Sequence, residues 1–304
     1  MSEGKIKVLY IAGPTRSGST ILSNILGEVD GFFNAGELID IWDRGLASNG
    51  MCGCGTQVRD CKVWRKVLDL IINCQDKIDL QEMIKVRNRV ARSSLLPLQM
   101  VIPAATLRSN LHLKKYLSNL KNLYRAVQIA TNSKIIVDSS KNAGYANLLA
   151  MIPEIDLYII HLIRDPRAVA YSWLRKKEGL WQIKPLKSSL MWNIRVIAPE
   201  MLRKRAQEKY LRIYYEDFIE KPQTVIKHIL EMVQENPSNL PFITEHTVKL
   251  GFNHSIYGNP NRFHAGKQVL KIDNEWKRMK ISDKIIVTLL TWPLLFKHGY
   301  LRKY

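Results

Sequence analysis

Residues 5–20 read Lys-Ile-Lys-Val-Leu-Tyr-Ile-Ala-Gly-Pro-Thr-Arg-Ser-Gly-Ser-Thr, an apolar strand running directly into a glycine turn. A strand that feeds a Gly-rich turn opening a helix is how many α/β sheets begin, and the helix end presents free amides and the positive end of a dipole. An anion is therefore expected there. Gly13 and Gly18 keep the spacing of the nucleoside-triphosphate loop and Thr20 closes it, but Ser19 stands where that loop carries its lysine. The cation sits inside the turn instead, at Arg16. Ordinary Mg²⁺-ATP hydrolysis loses its standard equipment by this change, whereas a donor with one 5′-phosphate and a sulfuryl group suits it.

Further strand patterns occur at 134–138, 157–163 and 210–215, each followed by a helical pattern, at 143–151, 167–177 and 222–233. Short apolar strands alternating with helices predict a three-layer α/β fold with a central parallel sheet. The stretch 62–130 breaks this rhythm: it is helical and basic, interrupted by Pro97 and Pro103, and reads as an insertion above the sheet. With 304 residues and 46% hydrophobic composition, one domain over 1–304 carrying that insertion is expected. The opening residues do not look like a signal peptide, and the apolar run 285–296 is too short and too interrupted to cross a membrane. The expectation is a cytoplasmic protein with a packed C-terminal helix.

Lys and Arg total 46 against 27 acidic residues, a net +19 that attracts anions without naming them. Clusters such as Arg175-Lys176-Lys177 and Arg203-Lys204-Arg205 read as solvated helix faces, and no nucleic-acid-binding motif is present. Of the four cysteines, Cys52, Cys54 and Cys61 are close in sequence and Cys74 lies beyond. Cys52-Gly53-Cys54 is one residue tighter than the common zinc hairpin, which leaves reduced thiols, a labile disulfide and a metal all open.

Ligands of open α/β sheets bind beyond the carboxyl ends of the strands. There the chain places Arg16-Ser17-Gly18-Ser19-Thr20, Asp138-Ser139-Ser140-Lys141, Arg164-Asp165-Pro166-Arg167 and Tyr215-Glu216-Asp217. After the third of these, Ser172 lies two helical turns on, so that Arg164 and Ser172 form a second anion site beside the glycine turn. The alternative pairs Arg164 with Asp165 and turns Ser172 to solvent.

The two segments together resemble the sulfotransferases that use 3′-phosphoadenosine 5′-phosphosulfate (PAPS), in which an [RK]-S-G-[ST]-[ST] loop holds the 5′ end of the donor and an R-D-P-R-x-x-x-x-S segment its 3′-phosphate. The arginine form of the loop is similar to that of carbohydrate and tyrosyl-protein sulfotransferases. The resemblance implies that Arg16, Ser17, Gly18, Ser19 and Thr20 bind the 5′-phosphosulfate and that Arg164 and Ser172 bind the 3′-phosphate. It also implies Tyr215 near the adenine and a late basic loop, with Arg262 or Lys267, closing over the nucleotide. Where cytosolic members stack a tryptophan on adenine this chain has Ile21, so the stacking residue is unassigned. The implied reaction is in-line transfer to a hydroxyl of a carbohydrate, lipid or natural product, with no metal required. Arg16 and Lys141 would stabilise the leaving group and Glu37 would act as base, since tyrosyl-protein enzymes place a Gly-Glu element at a similar distance; their Gly-Glu-Glu is here Gly36-Glu37-Leu38. Glu37 paired with Arg44 or capping a helix, and Lys141 facing water beside a helix cap, are the competing readings. His161 and His264 are alternative bases, although His161 lies within an apolar strand. A noncatalytic nucleotide-binding module and a P-loop kinase-like phosphotransferase are the alternative functions.

Overall fold

The computed structural model describes residues 4–74, 78–102, 106–107, 109–175, 182–236 and 239–303. Pro103, Lys176 and Lys177 and the side chain of Cys74 lie outside the described residues.

A five-stranded sheet in the order β2-β3-β1-β4-β5 runs through the molecule, with β1 at Ile6–Ala12, β2 at Phe32–Gly36, β3 at Ile135–Lys141, β4 at Ile155–Ile163 and β5 at Tyr210–Tyr214. Every neighbouring pair is parallel. Successive side chains of a strand point to opposite faces. Val8, Tyr10 and Ala12 accordingly enter one core, with Ile136 and Ile159, while Leu9 and Ile11 enter a second, with Val137, Ile160 and Leu162. Two cores on two faces make three layers, as the strand and helix alternation predicts.

Phe32–Gly36 is itself a strand, the β2 edge, which is not among the strand patterns read from the sequence. Because β2 and β3 are parallel neighbours, a crossover must join them. The Leu111–Thr131 helix supplies part of it: Tyr116, Leu120, Leu123, Tyr124 and Val127 are buried in the first core. Helices run through the described residues of 62–130, and the last of them packs on the first core. Helices Lys62–Cys74, Leu80–Val90 and Leu96–Val101 build outward from there.

A smaller antiparallel sheet, also unforeseen, joins β6 (Phe242–Thr244), β7 (Thr247–Leu250) and β8 (Gly266–Val269). It docks on the second core through Val248, Leu250 and Leu270. The apolar run near the C-terminus is a helix, Ile281–Lys297, that buries Val287, Thr291 and Leu295 and leaves Ile285, Leu289, Trp292 and Phe296 exposed. Among the described residues no helix is long and apolar enough to cross a membrane.

β1 lies between β3 and β4, and after β3 the chain crosses over β1 to begin the other half of the sheet at β4, so the strand order reverses here and a crevice opens beyond the carboxyl ends of these three strands. That crevice holds the chemistry.

Candidate active site

The turn after β1 is fixed by its glycines. Gly13 has φ 137°, and a Cβ there would lie 2.2 Å from the Leu162 carbonyl oxygen on β4; Gly18 has φ 89°, and a Cβ there would lie 2.5 Å from the Tyr215 ring. Backbone of this kind is open to glycine at little cost and to few other residues. Gly18 is the N-cap of the Ser19–Gly27 helix and no side chain caps that end, which leaves its first amides to a ligand.

Arg16 takes a left-handed conformation, φ 66°, and its guanidinium lies 4.6 Å from the centroid of the Trp173 ring. Its carbonyl oxygen accepts a hydrogen bond of 2.9 Å from Arg164 Nη1. The ends of β1 and β4 are therefore tied together, and the two segments picked out in the sequence line one cleft of ≈ 320 Å³ with Ser172, Glu37 and Lys141. Ser172 is buried, not turned to water. Asp165 pairs with Arg167 at 2.6 Å and caps the next helix, so it does not take Arg164.

Arg164 has another partner. Its Nη2 lies 3.1 Å from Asp273, whose carboxylate is also 3.1 Å from Arg175, and its guanidinium stacks 4.3 Å from the Tyr215 ring centroid. Burial works against ionising Asp273, but Arg164, the Glu275 amide and Arg175 outweigh it and hold the carboxyl below its usual range. Arg175 thus lines the cleft and pairs with Asp273 and Glu275, where the sequence suggested a solvated face.

Across the cleft, Lys141 is buried with φ 65° and places Nζ 2.6 Å from Glu37 Oε1 and 2.9 Å from the Ser139 carbonyl oxygen. The cap of the following helix is Asn142, which accepts from Gly144 and Tyr145, so Lys141 is neither beside water nor spent on a cap. Glu37 pairs with Lys141 and makes no cap bond, while Arg44 stacks on Tyr257. The turn carrying Glu37 is held from beneath: the Ile39 amide donates to Ser140 Oγ, and Ser140 donates in turn to the buried Asp138. Burial, opposed by these hydrogen bonds, pushes the Asp138 carboxyl up to about 6.

Four buried polar atoms at this end of the sheet have no partner: Arg16 Nε, Ser17 Oγ, Arg164 Nε and Arg175 Nε. Such orphans are rare, and here they surround the glycine turn. A smaller recess of ≈ 180 Å³ adjoins the cleft, sharing Thr20, Ile21, Tyr215 and Asn261 with it and adding the apolar Leu250 and Leu270.

Other expected residues lie elsewhere. Arg262 is buried, but its Nη atoms donate to Ser255 O at 2.8 Å and Met51 O at 2.7 Å, so it clasps two loops and does not line the cleft. Lys267 sits on the exposed β8, away from both cavities. His264 lines only the smaller recess, and His161 is a core residue bonded to Tyr210 OH at 2.7 Å, its pKa driven well down by burial. Sequence reasoning missed Trp173, Tyr257 and Asp273 and did not place Arg175 in the cleft, whose lining also includes Gly258 and Asn259. Arg175, three residues past Ser172 in the helical pattern, could have been found from its spacing; Trp173 and Asp273 carried no such signal.

A family model described as the sulfotransferase family matches residues 9–236. Among solved structures, the sulfotransferase domain from the Synechococcus PCC 7002 olefin synthase has a similar fold, with TM-score 0.50 and 17% identity over 97% of this chain and 96% of that one. The sulfotransferase domain from the curacin biosynthetic pathway aligns with TM-score 0.47 and 17% identity, over 95% of this chain and 99% of that one. No curated protein matches the chain.

Proposed function

This chain belongs to the sulfotransferase family, and from that premise we propose that it moves a sulfuryl group from PAPS to a hydroxyl-bearing carbohydrate, lipid or natural product, in the cytoplasm and without a metal in the reaction. The observation that carries this reading is the hydrogen bond from Arg164 to the Arg16 carbonyl oxygen, which ties the two segments into one cleft and so supports two anion sites within reach of a single molecule. An adenosine derivative with a 3′-phosphate and a 5′-phosphosulfate has negative groups to fill both. The partnerless Arg16 Nε, Ser17 Oγ, Arg164 Nε and Arg175 Nε fit such a molecule, and the helix end at Gly18, which no side chain caps, offers its first amides to a phosphate.

In this reading Ser17 to Thr20 and Arg16 hold the 5′ end, Arg164, Arg175 and Ser172 receive the 3′-phosphate, and the base enters the recess between Ile21, Tyr215 and Leu270. The acceptor oxygen forms its bond to sulfur as the bond from sulfur to the 5′-phosphate oxygen breaks, in line, by analogy with phosphoryl transfer. Glu37 takes the acceptor proton. Lys141 and Arg16 face the oxygen on which charge builds, as fixed cations that need no reorganisation during the reaction. The Glu37–Lys141 ion pair keeps base and cation beside one another until substrates separate their tasks.

Calorimetry comparing 3′-phosphoadenosine 5′-phosphate with ADP and with Mg²⁺-ATP tests the donor class. Strong preference for the first supports the reading; preference for Mg²⁺-ATP would instead indicate a kinase-like phosphotransferase. Binding without turnover across a panel of hydroxyl acceptors would point to a nucleotide-binding module.

A further inference from the structure

Cys52, Cys54 and Cys61 are joined in space by a residue about 200 positions away: the three Sγ atoms and one imidazole nitrogen of His254 all lie within 4.8 Å of one another. The separate distances are 3.6 Å for Cys52–Cys61, 3.8 Å for Cys54–Cys61, 3.2 Å for Cys61–His254 Nδ1 and 3.9 Å for Cys52–His254 Nδ1. A tetrahedral zinc with bonds of about 2.3 Å to sulfur and 2.0–2.1 Å to nitrogen has edges of about 3.8 Å between sulfurs and about 3.6 Å between sulfur and nitrogen. The four distances lie within about 0.4 Å of those edges, and the remaining two are no longer than 4.8 Å. The thiols are not joined in a disulfide.

The surrounding backbone is shaped to make the cluster. The Gly55 amide donates to Cys52 O and the Cys52 amide to Thr56 O, closing a tight knuckle, with Gly55 at φ 86°. The knuckle is pressed against the distant loop: Gly53 N donates to Ser255 O at 2.9 Å, and a Cβ on Gly53 would lie 2.1 Å from Asn253 Oδ1. Trp64 Nε1 donates to the carbonyl oxygen of His254 at 2.7 Å, fixing the backbone of the fourth ligand. Cys52 and Cys61 are buried while Cys54 and His254 are half-buried, which gives a metal a way in.

We propose that Cys52, Cys54, Cys61 and His254 bind one zinc ion as a closed structural site that staples the 253–262 loop to the edge of the sheet. Three thiols lose their protons to solvent as Zn²⁺ binds, and the imidazole coordinates neutral, so the complex carries one net negative charge. Arg262 flanks it, donating to Met51 O and Ser255 O, the carbonyls of residues adjacent to Cys52 and His254. Four thiolate and imidazole ligands at tetrahedral distances favour zinc and leave no open position for catalysis. The site is separate from the cleft, none of its ligands lining it. Its reach into function is indirect: Tyr257, Gly258 and Asn259 follow His254 and form one wall of the cleft, and Glu37 N donates to Tyr257 O.

The test is metal analysis of the full chain purified under reducing conditions from zinc-supplemented cells, followed by stripping and refilling with Co²⁺. About one zinc per chain and the absorption of a tetrahedral thiolate-ligated cobalt site are expected. Cys61→Ser and His254→Ala should each lose the metal. A wild-type chain that carries no zinc and takes up no Co²⁺, or one in which two of these cysteines titrate as a disulfide, overturns the proposal. These wild-type measurements decide it even if a variant fails to fold, and they do not depend on the reaction assigned above.

Discussion

Arg16 and Lys141, two of the cleft's cations, both hold the left-handed backbone that non-glycine residues avoid. Strain of this kind persists where the surroundings over-determine it, and both side chains line the same cleft. Arg16→Ala should abolish transfer, and Lys141→Ala should lower kcat by on the order of 10²–10³, the usual loss for one charge-stabilising donor. Glu37→Gln should leave nucleotide affinity within about twofold in calorimetry while kcat falls by roughly 10²-fold or more, as expected for a lost general base. Unchanged turnover in that variant removes Glu37 from the role. Gly18→Ala sets a different pattern: its Cβ would run into Tyr215, so nucleotide binding and turnover should fall together.

Among the elements, β3 does more than pair with β1 and β2. Its Asp138 accepts from Tyr124, from Ser140 Oγ and from the Ser140 amide at 2.9 Å, and Ser140 holds the turn that bears Glu37. Burial raises this carboxyl from 3.8 to about 6, so folding favours its protonated form. The stabilisation is fully present below about pH 4 and is lost as pH rises through about 6. Urea unfolding should therefore show the stability of the wild type, relative to Asp138→Asn, declining by on the order of 2 kcal/mol between pH 4 and 7. Parallel pH curves would refute it. The strand ends with chemistry were legible because glycine spacing and an Arg-Asp-Pro-Arg turn carry their own geometry. β2 was not, since Phe32–Gly36 is short and carries Asn34 and Gly36, residue types depleted in strands; Asn34 is a buried residue bonded to Asn24 at 2.9 Å. Nor was His254, because a ligand some 190 residues from its partners leaves no local pattern and only the docking of the late loop on the cysteine knuckle reveals it.

At the scale of the whole molecule, a net charge of +19 gathers anions toward a cleft lined by Arg16, Lys141, Arg164 and Arg175 against Glu37 and Asp273. Association with an anionic nucleotide should slow markedly between 0.01 and 0.15 M salt, where the screening length shrinks from about 30 Å to about 8 Å; stopped-flow binding measures this. Asp273 belongs to the late part of the chain yet sits between two arginines of the middle part. Asp273→Asn should tighten binding of 3′-phosphoadenosine 5′-phosphate by roughly 3–10-fold, the size of an ordinary partly exposed ion pair, and leave ADP nearly unchanged. A tethered carboxylate in that seat makes recognition a contest with a resident rival whose local abundance no dilution can lower. Newcomers lacking a matching group of their own leave it in place, so discrimination is written into the resting chain before any guest arrives.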